Sequence, residues 1–255
     1  MSTTHSLAGL HTFDTLNIAY EKAYQNNPLK KACITQAISL LPPSSHILDV
    51  GCGTGFPVSS MLSNADFGFS IEGFDVSPQM VELAKSRIQG QFRVGDMLTY
   101  EPLRGGEGGQ GYQGVFIIFS QLQLSYSDFW TVLYKYARLL APDGFLAIGQ
   151  SPADSYVLSK SQAEGKPEAA FYDETKTYVE DFPVPFMGED LPTFMLSSRG
   201  QRRMLESMRL KVVWEVNGWF QPDNEICVSE AQQYVIAKRE GERVVGEPAP
   251  KPIGK

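Results

Sequence analysis

The spacing of apolar residues predicts two helices before the first strand. From Phe13 to about Asn26, and again from Leu29 to Leu41, apolar residues recur every three or four positions, as on the buried face of a helix. Pro42-Pro43 ends the second helix. The next run, His46 to Val50, is short, apolar and bounded by prolines and glycines, which is typical of a buried parallel strand.

Strand and helix patterns then alternate as far as Gly149. The predicted helices are Phe56 to Ser63, Pro78 to about Gln89 with Ser77 as N-cap, and Tyr126 to Leu140. The predicted strands are Phe69 to Phe74, Phe92 to Gly95, Gly114 to Ser120 and Phe145 to Gly149, the last after a turn at Pro142-Asp-Gly144. This alternation with short connections predicts a doubly wound α/β sheet that is parallel over this stretch.

The alternation of strand and helix patterns ends at Ser151. Residues 151–196 are rich in proline and aromatic residues and show no clean period, after which a helix from Ser198 to Met208 is expected. Strands from Leu210 to Asn217 and from Gln232 to Ala237 close a seven-stranded sheet. Residues 241–255, with several prolines and few apolar residues, are predicted to be a disordered tail.

Composition and charge exclude several classes of function. The 255 residues hold 22 Lys and Arg against 29 Asp and Glu, a formal charge of −7, so no basic stripe for nucleic acid is expected. No run approaches the roughly 20 apolar residues of a membrane span, and Met1 to Phe13 does not resemble a signal peptide. A cytoplasmic protein with no membrane partner is therefore expected.

Cysteine and histidine are too few for a disulfide framework or a metal centre. Cys33, Cys52 and Cys227 are odd in number, widely spaced and form no C-x-x-C pair. The three histidines, His5, His11 and His46, are equally scattered, so no metal is expected.

Two glycine-rich segments differ in the element that comes after them. Five glycines lie between Gly105 and Gly111, but a strand succeeds them, so this segment is predicted to be a flexible loop. The segment Leu48-Asp-Val-Gly-Cys-Gly-Thr-Gly55 instead joins a strand to a helix, where glycines allow a ligand to approach the backbone. Phe56 occupies the third glycine position of a dinucleotide fingerprint, which weakens a pyrophosphate interpretation and, with it, a NAD-dependent dehydrogenase.

Carboxylates are predicted at neighbouring strand ends. Asp75 ends the second strand about 20 residues after the glycines, where such folds hold ribose hydroxyls, and Asp96 ends the third. With Asp49 on the first strand they form an acceptor-rich, negative crevice. That crevice suits a cation carrying amine donors better than a phosphate.

These residues resemble the class I S-adenosylmethionine-dependent methyltransferases. The resemblance spans about residues 46–150 through four motifs in order: Leu48 to Gly55, Asp75-Val-Ser-Pro-Gln-Met80, Gly95-Asp-Met97, and Leu139-Leu-Ala-Pro-Asp-Gly144. The segment Phe56-Pro-Val-Ser-Ser60 is similar to enzymes of fungal natural-product pathways that act on small molecules. Gly114 departs from many relatives, which have an aspartate near the start of the fourth strand.

The resemblance implies one Rossmann-like domain over residues 1–240 with a mostly parallel sheet and an antiparallel last strand. It implies lid helices over residues 1–45, a cofactor-binding half over 46–150, a substrate cap over 151–196, and a C-terminal helix and strands over 197–240. S-adenosyl-L-methionine is the implied cofactor. The implied cofactor-binding residues are Tyr20, Asp49, Gly51, Cys52, Gly53, Gly55, Asp75, Val76, Met80, Asp96, Met97, Ser120 and Gln121.

Roles within this set are those of the family pattern. Residues 51–53 border the methionine part, Asp75 grips the ribose, Val76 and Met97 flank the adenine, and Asp96 accepts from its amine. Ser120 and Gln121 lie near the sulfonium, and Tyr20 with Tyr24 resembles a lid. Alternatives stay open: Asp49 as a loop anchor, Asp96 as a loop cap, and the two tyrosines as an ordinary helix face.

The expected function is methyl transfer to a small molecule. Aromatic residues of the cap segment suit a partly apolar acceptor, or equally core packing; they are Tyr156, Phe171, Tyr172, Tyr178, Phe182, Phe186 and Phe194. No catalytic base is identified, since His11 and His46 are better explained as structural or exposed residues. A cofactor-binding enzyme with another reaction, such as a cyclisation, and a non-catalytic interaction protein remain the alternatives.

Overall fold

The computed structural model describes residues 14, 16, 18–104 and 111–252. Predictions for His11, for the start of the first helix at Phe13 and for the glycine-rich loop at 105–110 lie outside these residues. The helices are α1 (helical residues 18–24), α2 (Pro28–Leu40), α3 (Val58–Ser63), α4 (Pro78–Arg87), α5 (Tyr126–Ala137), α6 (Ala153–Glu164) and α7 (Ser198–Ser207). Within the described ranges, no helix is long and apolar enough to cross a membrane.

The strands form a seven-stranded sheet and a separate hairpin. Their bounds are β1 (His46–Val50), β2 (Ser70–Asp75), β3 (Gln91–Val94), β4 (Tyr112–Ile118), β5 (Leu140–Gln150), β6 (Tyr178–Phe186), β7 (Glu189–Leu196), β8 (Leu210–Phe220) and β9 (Glu230–Arg239). The sheet has the order β3-β2-β1-β4-β5-β9-β8. Strands β1 to β5 pair in parallel, with Leu48 opposite Val115, whereas β9 is antiparallel to both β5 and β8. The predicted fold class, a mostly parallel Rossmann-like sheet with an antiparallel last strand, is confirmed.

Alternation along β1 supplies both faces of the sheet with core residues. Ile47 packs with α2, α3 and α4 on one face, whereas Leu48 packs with α5 and α7 on the other, because successive side chains of a strand point to opposite faces. Serine caps begin α4, α5 and α7; in α4 the Ser77 hydroxyl accepts the Met80 N–H at 3.2 Å. Strands buried on both faces explain the apolar runs of the sequence.

The segment from 151 to 196 is more regular than its sequence indicates. It forms α6, a short 3-10 turn (Glu168–Ala170), and the two-stranded hairpin of β6 and β7. Helix α6 buries only Ala153 and Val157, which leaves no apolar stripe to recognise.

Two further boundaries correct the sequence analysis. Helix α5 ends at Ala137 rather than Leu140, because Leu140 already pairs with Tyr112 in the sheet. The expected turn at 142–144 is an irregularity inside β5, with Asp143 at a φ of 59°. The register of β4 against β5 shifts there.

The C-terminal segment is packed, which corrects the prediction of a disordered tail over 241–255 for its described part. The Gly246 N–H donates to the Met208 carbonyl at 3.0 Å, and Val245 is buried against the core. The Trp130 indole N–H donates to the Pro248 carbonyl at 2.7 Å. Backbone carbonyls that receive side-chain donors hold this segment without a helix or strand of its own.

Candidate cofactor cleft and acceptor chamber

The site lies where the strand order reverses, between the carboxyl ends of β1 and β4. Open α/β sheets bind ligands at this switch point. Gly51 comes directly after β1 with a φ of +67°, and a Cβ there would lie 2.3 Å from the Ser120 Cβ, just after β4. Gly53 has a φ of +54°, and a Cβ there would meet nothing within 4 Å. The loop therefore packs tightly at Gly51 and faces open space at Gly53.

Asp75 closes the glycine loop from the neighbouring strand. Its Oδ2 accepts the Gly53 N–H at 2.9 Å and its Oδ1 accepts the Ser77 N–H at 2.9 Å. Burial raises the pKa of Asp75, while these backbone bonds oppose the rise by stabilising the charged form. A carboxylate has about four acceptor sites, so Asp75 keeps acceptor capacity for a ligand.

Two polar atoms at the cleft are buried without a partner among the described residues. Asp96 Oδ1 accepts the Leu98 N–H at 2.9 Å, but Asp96 Oδ2 has no hydrogen bond. The Ser120 hydroxyl is likewise unsatisfied. Because buried polar atoms in native proteins almost always have partners, these two atoms indicate a ligand that supplies them.

Asp49 anchors the end of β1. Its Oδ2 accepts a 2.6 Å hydrogen bond from the Ser59 hydroxyl on α3, and burial raises its pKa to about 7. This contact fits the loop-anchor interpretation of Asp49. The residue also lines the cleft, so cofactor contact stays a prediction.

The cleft spans about 1040 Å³ and an adjoining chamber about 530 Å³, each including its open mouth. Tyr20, Phe119 and Gln123 line both spaces. We call the first space the cofactor cleft and the second the acceptor chamber. The chamber is mainly apolar and aromatic, and its walls include Tyr24, Tyr156, Phe186 and Glu230.

Eleven of the thirteen residues predicted from the sequence line the cofactor cleft: Tyr20, Asp49, Gly51, Cys52, Gly53, Asp75, Val76, Met80, Asp96, Met97 and Ser120. Gly55 and Gln121 do not. A Cβ at Gly55 would lie 2.2 Å from the Ile88 Cδ1, so this glycine permits close packing with α4. Gln121 is buried and donates to the Gly149 carbonyl at 2.9 Å, away from the cleft lining.

The predicted aromatic cap divides into three groups. Tyr156 and Phe186 line the acceptor chamber. Tyr178 stacks on Tyr126 with ring centroids 3.9 Å apart, and Phe194 packs against Phe129 at 5.2 Å, so these two belong to the core. Phe171, Tyr172 and Phe182 pack within a small cluster under the hairpin.

Lys30 and Glu230 are residues that sequence reasoning missed. Lys30 lines the cofactor cleft with only 5% exposure, and its Nζ lies 5.9 Å from the Tyr24 ring centroid and 5.6 Å from that of Phe119. Burial lowers the pKa of Lys30 to about 8, although Glu230 and Asp49 favour its charged form. A sequence signal existed, because Lys30 stands on the buried face of α2 at helical spacing from Cys33, Ile34 and Ala37.

Helix α1 is fixed over this region by polar contacts to α4 and to the N-cap of α4. The Arg87 guanidinium donates to both Glu21 carboxylate oxygens at 3.0 Å, and the Ser77 hydroxyl donates to Asp14. The Tyr20 and Tyr24 rings lie 4.7 Å apart, and Phe186 of the hairpin contacts both. The pair is thus a wall of the site as well as a helix face.

Comparison with known proteins supports the sequence resemblance over the first half of the sheet. Residues 47–144 match the family described as a methyltransferase domain. Over 66 residues, 24% of this chain and 20% of the relative, the chain is 38% identical to a 2-methyl-6-phytyl-1,4-hydroquinone methyltransferase of Synechocystis. Over 114 residues, 44% of this chain and 41% of the relative, it is 30% identical to an O-methyltransferase of Pyrenophora dematioidea. The matches thus span well under two thirds of these relatives' lengths.

The fold is shared more widely than the sequence. A Burkholderia thailandensis 1,6-didemethyltoxoflavin-N1-methyltransferase, solved with 1,6-didemethyltoxoflavin and S-adenosylhomocysteine, superposes with a TM-score of 0.62. The superposition covers 94% of this chain and 92% of that one at 12% identity. This likeness concerns the fold.

Proposed function

We propose that this chain, whose residues 47–144 match the methyltransferase-domain family, is an S-adenosylmethionine-dependent methyltransferase that acts on a small molecule. One observation carries the proposal. At the switch point of the sheet, a loop open at Gly53 lies beside Asp75 and beside the unpartnered Asp96 Oδ2. This arrangement offers acceptors to a ribose diol and to an adenine amine, and space at the backbone for the rest of the cofactor.

The residues of the cleft fit this cofactor one group at a time. The Asp75 carboxylate has lone pairs left for the ribose hydroxyls, and Asp96 Oδ2 lacks the donor that an adenine amine would supply. Val76, Met80 and Met97 give the ring apolar surroundings. The Ser120 hydroxyl and the glycines at 51 and 53 lie where the methionine part would bind.

Bound there, S-adenosylmethionine supplies a methyl group already activated by a positive sulfur. The chain's own residues then have to hold the acceptor in line and to exclude water, and alignment of this kind is worth about 7 to 11 kcal/mol in favourable systems. Tyr20 belongs to the walls of both spaces, so it marks the junction at which the two ligands would meet.

The acceptor chamber favours a small molecule over a macromolecule. Most of its walls are aromatic or aliphatic and only a few lining groups are polar, as in small-ligand pockets. The relatives include a hydroquinone methyltransferase and an O-methyltransferase, which supports a small organic acceptor. A secondary-metabolite acceptor, a cytoplasmic location and the absence of nucleic-acid and membrane partners remain predictions.

Calorimetry with S-adenosylhomocysteine tests the cofactor. We expect Asp75→Ala to weaken binding by about 100-fold, since hydrogen bonds to a charged group contribute about 1.5–3 kcal/mol each. Asp66→Asn, an exposed carboxylate change between α3 and β2, is the matched control and should bind normally. Normal binding by Asp75→Ala would contradict the placement.

Transfer itself is tested with methyl-labelled S-adenosylmethionine. Label is expected in the small-molecule fraction of a cell extract and not in its protein or nucleic-acid fractions. Binding without transfer to any fraction would favour the alternative of a non-methylating enzyme. Absence of binding would favour a non-catalytic interaction protein.

A further inference from the structure

A carboxylate lies inside the apolar acceptor chamber. Glu230 begins β9, is 7% exposed and lines the chamber opposite the aromatic residues of α1 and the hairpin. Burying a carboxylate among aromatic rings is costly unless it is hydrogen-bonded. Its presence therefore requires either a structural partner or a ligand.

The orientation of Glu230 is fixed by two protein donors. The Tyr24 hydroxyl donates to Oε1, and the Gln232 side-chain N–H donates to Oε2 at 3.2 Å. Gln232 is itself held, because its Oε1 accepts from Asn27 at 2.6 Å and from the Tyr234 hydroxyl at 2.9 Å. A carboxylate has about four acceptor sites, so two protein donors leave acceptor capacity on a residue that lines the chamber.

One cation among the described residues acts on Glu230. Lys30 is the cation that acts on it from α2. The described titratable groups whose pKa values Glu230 helps to raise are tyrosines, and burial is the larger cause for each: Tyr20, Tyr24, Tyr156 and Tyr234. A second cation would be repelled by the Lys30 ammonium. A neutral donor adds a hydrogen bond to the carboxylate without adding charge.

Resting on the function proposed above, we propose that Glu230 binds the methyl acceptor through a neutral hydroxyl on a planar aromatic ring and accepts the proton of that hydroxyl. Tyr24 is the positioning residue. In the proton transfer the O–H bond breaks, its electron pair stays on the acceptor oxygen, and the proton forms a bond to a Glu230 carboxylate oxygen. The acceptor becomes an oxyanion nucleophile, and Glu230 becomes a neutral carboxylic acid.

The ring positions agree with a planar acceptor. Tyr20, Tyr24 and Phe186 enclose one side of the chamber with centroid distances of 4.7, 6.0 and 6.2 Å. An aromatic acceptor gains offset or edge contacts with such rings. The hydrogen bond between the Glu230 carboxylate and the hydroxyl of the acceptor then determines which edge of the acceptor ring faces the cofactor cleft.

Binding to the full chain in the presence of saturating S-adenosylhomocysteine provides the test. The probes are 2-naphthol, its methyl ether 2-methoxynaphthalene, and the cationic 1-naphthylmethylammonium. We expect 2-naphthol to bind about tenfold more tightly than either of the others. Glu230→Gln should reduce the preference over the ether to about twofold or less, whereas Glu225→Gln, an exposed change in the loop before β9, should leave it unchanged.

A second variant keeps the inference testable if Glu230→Gln does not fold. Tyr24→Phe retains the carboxylate but removes its donor, and we expect the preference for 2-naphthol to fall about threefold while the binding of S-adenosylhomocysteine is unchanged. Equal binding of 2-naphthol and its ether by the wild-type chain, or tighter binding of the ammonium, would overturn the inference. If the wild-type chain did not bind S-adenosylhomocysteine, that result would instead count against the proposed function.

Discussion

The cofactor cleft and the acceptor chamber share Tyr20 but are built by different means. The cleft uses backbone groups and short polar side chains at strand ends, with glycines at φ values of +67° and +54°. The chamber uses large side chains brought from α1, the β6–β7 hairpin and β9. A site made of backbone accepts one ligand shape, whereas a site made of side chains is free to vary its ligand by substitution.

The two regions also treat charge differently. In the cleft, Asp75 has backbone N–H partners on both oxygens, so its charge is satisfied locally. In the chamber, Glu230 depends on Tyr24, 206 residues away along the chain, and on the field of Lys30. The cleft is therefore a local property of the sequence, and the chamber is a tertiary one.

The largest expected effect is on stability, and it distinguishes the packing role of Gly51 from the ligand-binding role of Gly53. Gly51→Ala should lower the free energy of unfolding by about 3 kcal/mol, because a left-handed backbone costs about 1–2 kcal/mol and the clash with Ser120 adds to it. Gly53→Ala meets no neighbour, so it should cost only about 1 kcal/mol yet weaken S-adenosylhomocysteine binding about tenfold. Denaturant unfolding and calorimetry measure both. Equal losses of stability would refute the assignment of packing to Gly51 and ligand space to Gly53.

Two truncations should dissociate the regions. Phe186→Ala removes a ring of the chamber and should weaken 2-naphthol binding about tenfold, with S-adenosylhomocysteine affinity changed by less than about twofold. Met97→Ala in the cleft should weaken S-adenosylhomocysteine binding about tenfold and change 2-naphthol affinity by less than about twofold. Titration of each variant with both ligands gives the comparison. If either change weakened both ligands alike, the two spaces would be one site.

Most residues of the cleft could be predicted from the sequence, because local rules determine the geometry of the cleft. Glycines after a strand, an aspartate at the next strand end and a serine cap before Pro78 each act over a few residues. Gly55 and Gln121 belong to the right segments but do not line the cleft. Whether such a residue faces the ligand or the core depends on packing against α4 and β5, which spacing does not reveal.

Most residues that line the chamber could not be predicted from the sequence. Only Tyr156 and Phe186 among the seven cap aromatics line it, because stacking on core residues such as Tyr126 withdraws others. Glu230 and Lys30 acquire their surroundings from strands and helices far apart in the chain. No local pattern encodes such a pair, although a lysine on the apolar face of α2 was a usable signal.

Two buried titratable groups, Asp49 and Lys30, should affect the free energy of unfolding in different pH ranges. The pKa of Asp49 is raised to about 7, so the ligand-free native state retains a proton that the unfolded chain loses, and stability falls as pH rises from about 4 to 7. The pKa of Lys30 is lowered to about 8, so the contribution of Lys30 to stability rises from pH 8 toward 10.5, against the opposite contributions of buried cysteines and tyrosines with raised pKa values. Each limb has a slope of at most about 1.4 kcal/mol per pH unit.

Variants assign the two limbs. Relative to wild type, Asp49→Asn should flatten the profile between pH 5 and 7, and Lys30→Met should flatten it between pH 8 and 10. Chemical denaturation across this range is the measurement. A falling limb that persisted in Asp49→Asn would show that Asp75 and Glu230, whose pKa values burial also raises, dominate it, and a Lys30→Met profile equal to wild type would refute the assignment to Lys30.

The smallest expected effect concerns the contact that joins the two regions. Helix α1 brings Tyr20 to both spaces, and the paired bonds between Glu21 and Arg87 attach it to α4. Partly exposed ion pairs contribute about 0.5–1 kcal/mol, so Glu21→Gln should weaken S-adenosylhomocysteine and 2-naphthol by about twofold each, with less effect at high salt. A double-mutant cycle with Arg87→Met isolates the pair, and Glu82→Gln in the exposed Lys85 pair on the same helix is the control. A change in stability without a change in either affinity would mean that α1 is attached to the cofactor half without coupling the two ligands.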